Sequence, residues 1–167
     1  VLPIQGPPGT GKTHTGGYMI CELVRQGKKV GIVANGHEVI RNLLNKVIEV
    51  AEETNTALIC IQKPKGGAKE EGTDRLRFAK KNNAEVFAAL NADCSVAGGT
   101  AWLWSTEDAF ESLDVLFVDE AAPLDRRALL SALVFFQMLP ATALAPTRSS
   151  PRTLVSSAGD CCAAALR

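Results

Sequence analysis

Five apolar runs that do not alternate with polar residues restrict what this chain can fold into more than any other feature. They are "VLPIQ" (1–5), "KKVGIVA" (28–34), "ALICIQ" (57–62), "CSVAGG" (94–99) and "LDVLFVDE" (113–120). A strand with one wet face alternates in polarity, and a strand covered on both faces does not. Between the runs lie stretches of helical period. A helix over about 12–26 gathers Met19, Ile20, Leu23 and Val24 on one side, with Gly27 as its stop. A second over 37–53 carries Val39, Ile40, Leu43, Leu44, Val47 and Ile48 as a stripe. Buried strands joined by helices give an α/β class: a parallel sheet with helices on both faces. Residues 63–81, "KPKGGAKEEGTDRLRFAKK", read as an insertion, loop first and helix after.

With 167 residues there is room for one domain and its core. Eighteen basic side chains cancel eighteen acidic ones, so a nucleic-acid partner has to be sought in local charge. Residues 63–81 supply some, with seven basic and three acidic side chains, although a solvated face explains them better. Cys21, Cys60, Cys94, Cys161 and Cys162 lack C-x-x-C spacing and a nearby histidine pair, which favours reduced thiols over a disulfide or zinc framework. No apolar run nears the roughly 20 residues of a membrane span, and "VLPIQ" has no basic stretch before it. The expectation is a soluble cytoplasmic protein with no membrane partner.

Between the first strand and the first helix, residues 6–13 fit G-x-x-x-x-G-K-[ST]. A phosphate chain must approach consecutive backbone N–H groups, and side chains at Gly6, Gly9 and Gly11 would obstruct it. Pro7 and Pro8 stiffen the loop around Thr10. The helix starting near Lys12 turns its positive end toward the anion. Lys12 is placed for the β- and γ-phosphates of ATP, and the Thr13 hydroxyl for Mg²⁺. The strand 113–120 ends in Asp119, suited to holding Mg²⁺ through water, and Glu120, suited to orienting or deprotonating the attacking water. A glycine-rich turn and a strand ending in solvated acids are the bland alternatives. Their joint occurrence in this order favours a nucleoside-triphosphate hydrolase.

"IQGPPGTGKT" (4–13), "VANGHEVIRNLL" (33–44), "VAGGTAWLW" (96–104) and "VLFVDEA" (115–121) follow the order and spacing of superfamily 1B helicases. The chain resembles these relatives of the nonsense-mediated-decay helicase over residues 1 to about 121. It is most similar to the bacterial helicases that follow a RecB-like nuclease domain. The resemblance implies a RecA-like first motor domain that hydrolyses ATP and moves along single-stranded DNA or RNA. It implies strand contacts at Gly36, His37 and Thr100. His37 reads equally as a surface neighbour of a helix cap. Trp102 and Trp104 suit base stacking, and core or edge packing as well.

The departures are specific. Gly36 stands where the family usually has a hydroxyl, and Pro123 where it has a glutamine. No G-D-x-x-Q motif, second RecA-like domain or arginine finger is read downstream, so the chain is expected to be a motor-domain fragment, weakly active or inactive alone. Residues 121–167 contain eleven alanines and no lysine, glutamate or isoleucine. That change reads as truncation or as GC-rich codons in a shifted frame. A helix is expected over about 124–139, an irregular tail over 140–167, and no further sheet strand. The division is therefore a partial motor domain, 1–139, and the tail. Two other readings stay open. An AAA+ ATPase also uses "GPPGTGKT", although its acidic motif comes sooner than the 107 positions separating Lys12 from Asp119. A nucleotide-binding remnant without turnover is the third.

Overall fold

In the computed structural model, residues 2–3, 9–66, 71–109, 111–119, 152–155 and 163–166 are described. The strands are β1 (Leu2–Pro3), β2 (Val30–Val33), β3 (Cys60–Gln62), β4 (Leu76–Phe78), β5 (Val96–Gly99), β6 (Val115–Val118), β7 (Arg152–Val155) and β8 (Ala163–Leu166). The helices are α1 (Lys12–Arg25), α2 (His37–Glu53), α3 (Ala84–Ala92) and α4 (Ala101–Trp104), with a 3₁₀ turn at Glu107–Ala109. The five strands β6-β2-β5-β3-β4 pair side by side and all run parallel. Every residue of β2, β5 and β6 is buried, which is why these runs do not alternate.

Strands β2, β3, β5 and β6 each feed two apolar layers. Val30 and Ile32, with Val115 and Phe117, meet Ile20 of α1 and the α2 stripe Ile40, Leu43, Leu44, Val47 and Val50. Val33, Leu116 and Val118 instead meet Val86, Phe87 and Leu90 of α3 and Leu103 and Trp104 of α4. Helices therefore cover both faces, as expected of a RecA-like α/β sheet. Gly98 lets α2 come close. A Cβ there would lie 2.5 Å from the Ile40 Cγ2 atom, nearer than packed carbons approach.

Several expectations change. The helix expected within 63–81 does not form at Leu76–Phe78, where the chain adds strand β4 at the sheet edge. Leu76 and Phe78 are buried and Arg77 is exposed, a two-residue period too short to stand out in the sequence. Arg41 of α2 lies 4.4 Å above the Phe78 ring, and Arg77 holds Asp93 through two hydrogen bonds of 2.9 and 2.7 Å. Helix α3 then forms over Ala84–Ala92, where no element was expected.

The first strand keeps Leu2–Pro3 in the sheet, antiparallel to Ala163 and Ala164 of β8. Among the described residues, β1 is therefore hydrogen-bonded to β8 and not to β6. Strand β8 pairs with β6 and β7 as well. Pro3 lacks an N–H, which suits the end position of β1. Contrary to the expectation of no strand after residue 121, β7 and β8 fall within 140–167 and flank β6. The helix read over 124–139 and the boundary at 139 lie outside the described residues. Among those described, no helix is long and apolar enough to cross a membrane.

Candidate functional site

Parallel strands in register end together, and here their ends build one edge. Val33 pairs with Gly99 and Val118, Gln62 with Gly98, and Phe78 with Gln62. The segments that leave after these strands, at 34–37, 63–66, 79–81, 100–102 and 119, consequently emerge side by side. In open α/β sheets this carboxyl edge is where ligands bind.

Helix α1 starts at the same edge. It runs alongside α2 and in the same direction: Gly16 faces Leu43, the Cys21 thiol meets the Val47 carbonyl at 3.5 Å, and Arg25 Nη2 donates to the Thr54 carbonyl at 2.8 Å. Because α2 begins at the carboxyl edge, so does α1. Gly9 and Gly11 have φ of 80° and 77°, the left-handed region that glycine alone enters without strain. No neighbouring atom lies within 4 Å of a Cβ built on either. Gly11 is the N-cap of α1, which has no side-chain cap hydrogen bond among the described residues, and its first turn holds no acid. The first-turn N–H groups and the positive end of the helix dipole are thus presented without a competing carboxylate from the helix itself. Lys12 and Thr13, half-buried, stand in this turn, with exposed Thr10 just before it.

Asp119 is half-buried directly after β6, and its N–H donates to the Val33 carbonyl at 2.8 Å. That bond fixes Asp119 beside the end of β2. The structure thus brings Gly9, Thr10, Gly11, Lys12, Thr13, Gly36, His37, Thr100 and Asp119 to one edge. Gly6, Pro7, Pro8 and Glu120 lie outside the described residues. Glycines in left-handed conformation, an uncapped helix start, a lysine, a hydroxyl and a carboxylate form a donor set that fits a nucleotide triphosphate with Mg²⁺. Lys12 would meet phosphate oxygens, and Thr13 and Asp119 would serve the cation. Among the described residues no group of three or more His, Cys, Asp or Glu could itself hold a metal. The buried thiols Cys21, Cys60 and Cys94 are free, and burial pushes that of Cys60 strongly up.

Gly36, extended at φ −132°, is the N-cap of α2 without a side-chain bond, the consequence of its missing hydroxyl. His37 is half-buried, and its Nδ1 lies 3.1 Å from the Lys63 carbonyl. A carbonyl only accepts, so Nδ1 carries the proton. His37 therefore braces α2 against the end of β3, a role outside the two the sequence offers. Gln62, fully buried, completes the brace and was not singled out in the sequence. Its Nε2 donates to the His37 carbonyl at 2.9 Å, and its Oε1 accepts from Arg41 Nε at 2.7 Å. The available signal is one amide closing an apolar run. Gln62→Leu removes a partner from both groups and should lower stability by about 1–3 kcal/mol. Urea unfolding followed by circular dichroism reads this, and an unchanged midpoint would show that the brace carries no stability.

Thr100 caps α4 at the end of β5 through its backbone, accepting from Leu103 N–H at 2.9 Å. The two tryptophans separate. Trp104 is buried, its indole N–H shared between the Ile32 and Gly99 carbonyls at 3.1 Å each, with Phe87 edge-on at 6.1 Å. Its role is packing, while Trp102 is exposed. A groove of about 410 Å³ lined by Asn45, Ile48, Glu52, Thr73, Asp74, Arg75 and Leu76 lies away from this edge.

The family model described as RNA cytidine acetyltransferase NAT10/TcmA, helicase domain, matches residues 3–149. No curated protein and no solved structure matches the chain.

Proposed function

The chain belongs to the family of the RNA cytidine acetyltransferase NAT10/TcmA helicase domain, and from that footing we propose that it binds and hydrolyses ATP as a motor domain acting on single-stranded nucleic acid. It is a helicase-like P-loop α/β domain. The observation that carries the finer reading is the meeting of the uncapped start of α1, with Gly11, Lys12 and Thr13, and Asp119 at one sheet edge.

Each residue has a distinct task. Gly9 and Gly11 keep the backbone open to the phosphates, and Lys12 neutralises part of their charge. Thr13 and Asp119 orient the cation. Glu120, next in sequence, takes the proton of the attacking water, a role supported by sequence alone. Bound Mg·ATP would supply the phosphoanhydride to be cleaved and the cation that spreads its charge.

The family's name concerns RNA, which favours RNA over DNA as the strand. Gly36, His37 and Thr100 stand at the same edge for that strand. The superfamily 1B reading rests on the four sequence motifs, and with it goes a second RecA-like domain as partner. A RecB-like nuclease rests on that resemblance alone. Three free buried thiols suit a reducing compartment, so the cytoplasm is the proposed location.

ATP turnover with and without single-stranded RNA or DNA tests this reading. Slow turnover stimulated by the strand is the expected result. Unstimulated turnover would favour an AAA+ type of ATPase, and binding without turnover a nucleotide-binding remnant. Absence of nucleotide binding would overturn all three.

A further inference from the structure

Trp102 is 77% exposed, an unusual position for the side chain with most to gain from burial. Local geometry keeps it out. Helix α4 turns immediately after β5, so Leu103 and Trp104 enter the layer beneath α3 while Trp102 faces away from it. The Trp102 carbonyl accepts from the Ser105 hydroxyl at 3.1 Å, which closes the turn and fixes the backbone that carries the ring.

The strand ends next to β5, which leads into α4, are basic. Lys63 N–H donates to the Gly98 carbonyl at 2.9 Å, which places Lys63 next to the end of β5. Ala79 N–H donates to the Gln62 carbonyl at 3.0 Å, bringing Lys80 and Lys81 alongside Lys63. Adjacent strands are about 4.8 Å apart, so these segments stand within about 10 Å of the β5 end. Lys65, Lys80 and Lys81 are exposed and Lys63 half-buried. Among the described residues, none of the four forms an ion pair; Lys63 Nζ reaches only the Lys81 carbonyl, at 3.4 Å. Glu85, the acid closest in sequence, is turned to the Lys81 backbone N–H at 3.0 Å. Four of the nine lysines of a chain with no net charge thus gather at the strand ends next to β5, from which α4 carries Trp102, the most exposed aromatic ring among the described residues.

We infer that Trp102 is a stacking platform for a base of a single-stranded nucleic acid whose phosphates lie along Lys63, Lys65, Lys80 and Lys81. An exposed flat ring and a row of ammonium groups at the same sheet edge suit the alternation of base and phosphate along an unpaired strand. A protein partner or a second copy would find the ring attractive but would have to bury or neutralise the lysines. The inference rests on the reading of this domain as a nucleic-acid motor, and adds to it the residue that holds the base.

The test uses the full chain, ATP, and unstructured uridine and thymidine oligonucleotides of about 12 nucleotides. The chain has two tryptophans and Trp104 is buried, so oligonucleotide-dependent quenching of indole fluorescence reports on Trp102. Trp102→Ala should weaken oligonucleotide binding about 5- to 150-fold, with ATP affinity and urea midpoint unchanged. Trp102→Phe should restore most of the loss. Lys80→Ala with Lys81→Ala should reduce the salt dependence of binding, which counts phosphate contacts. Quenching by either oligonucleotide supports stacking, and a preference between them identifies the strand. The inference is overturned by unchanged affinity in Trp102→Ala. It is also overturned by a chain that binds ATP but no oligonucleotide, or by indole fluorescence that follows protein concentration alone. Oligonucleotide quenching in a chain that binds no ATP would instead refute the nucleotide reading and leave the stacking platform standing.

Discussion

Lys12→Ala should weaken ATP binding about 10- to 150-fold, measured by calorimetric titration with Mg²⁺ present. The size follows from geometry and charge. Lys12 occupies the first turn of α1, directly after the left-handed Gly11, at the edge where the parallel strands end. In the proposed site its ammonium would make charge-assisted contacts to phosphate oxygens, each worth about 1.5–3 kcal/mol. Alanine keeps the helix, because it has the highest helix propensity and no competing polar group. The fold should therefore survive, with an unchanged urea midpoint as the control. An ATP affinity equal to that of the wild type would remove Lys12 from the site.

Glu120→Gln should do the opposite. Binding should stay near wild type, and the turnover number should fall about 10²- to 10⁴-fold, the usual range for loss of a general base. Glutamine retains the shape and a carbonyl oxygen but cannot accept a proton at neutral pH. Asp119 next to it remains to serve the cation, so nucleotide affinity has no reason to follow the rate. Single-turnover hydrolysis and equilibrium binding on the same preparation separate the two quantities. If Glu120→Gln lost affinity as Lys12→Ala does, the division between binding lysine and water-activating carboxylate would be wrong. A rate equal to wild type would transfer the role of base elsewhere.

Local signals were legible in the sequence wherever one segment carried its own pattern. Helix α2 occupies His37–Glu53 as its stripe requires, because a 3.6-residue period of apolar side chains suffices to orient a helix. Strands β2, β3, β5 and β6 lie inside the runs that name them. Positive φ at Gly9 and Gly11 agrees with the loop chemistry read from residues 6–13. The family match extends to residue 149, beyond the change in composition at 121.

What the sequence determined by itself was the layering, the order of the strands' chemistry and the glycine-rich turn ahead of Lys12. The tertiary structure decided everything that depends on partners distant in the chain. Leu76–Phe78 became a strand because β3 offers a parallel edge and α2 a cover, although three residues carry no readable period. Strand β8 pairs with both β1 and β6, a choice among competing pairings that no local run encodes. Trp102 and Trp104, two positions apart with the same side chain, were assigned opposite fates by one turn of helix after β5. Gln62 and His37 acquired their bracing role only when Lys63, Arg41 and the start of α2 were brought together. The physical reason is common to all of these. Periodicity is a property of neighbours in sequence, whereas strand pairing, burial and hydrogen-bond satisfaction are settled by groups that meet only after the chain has folded.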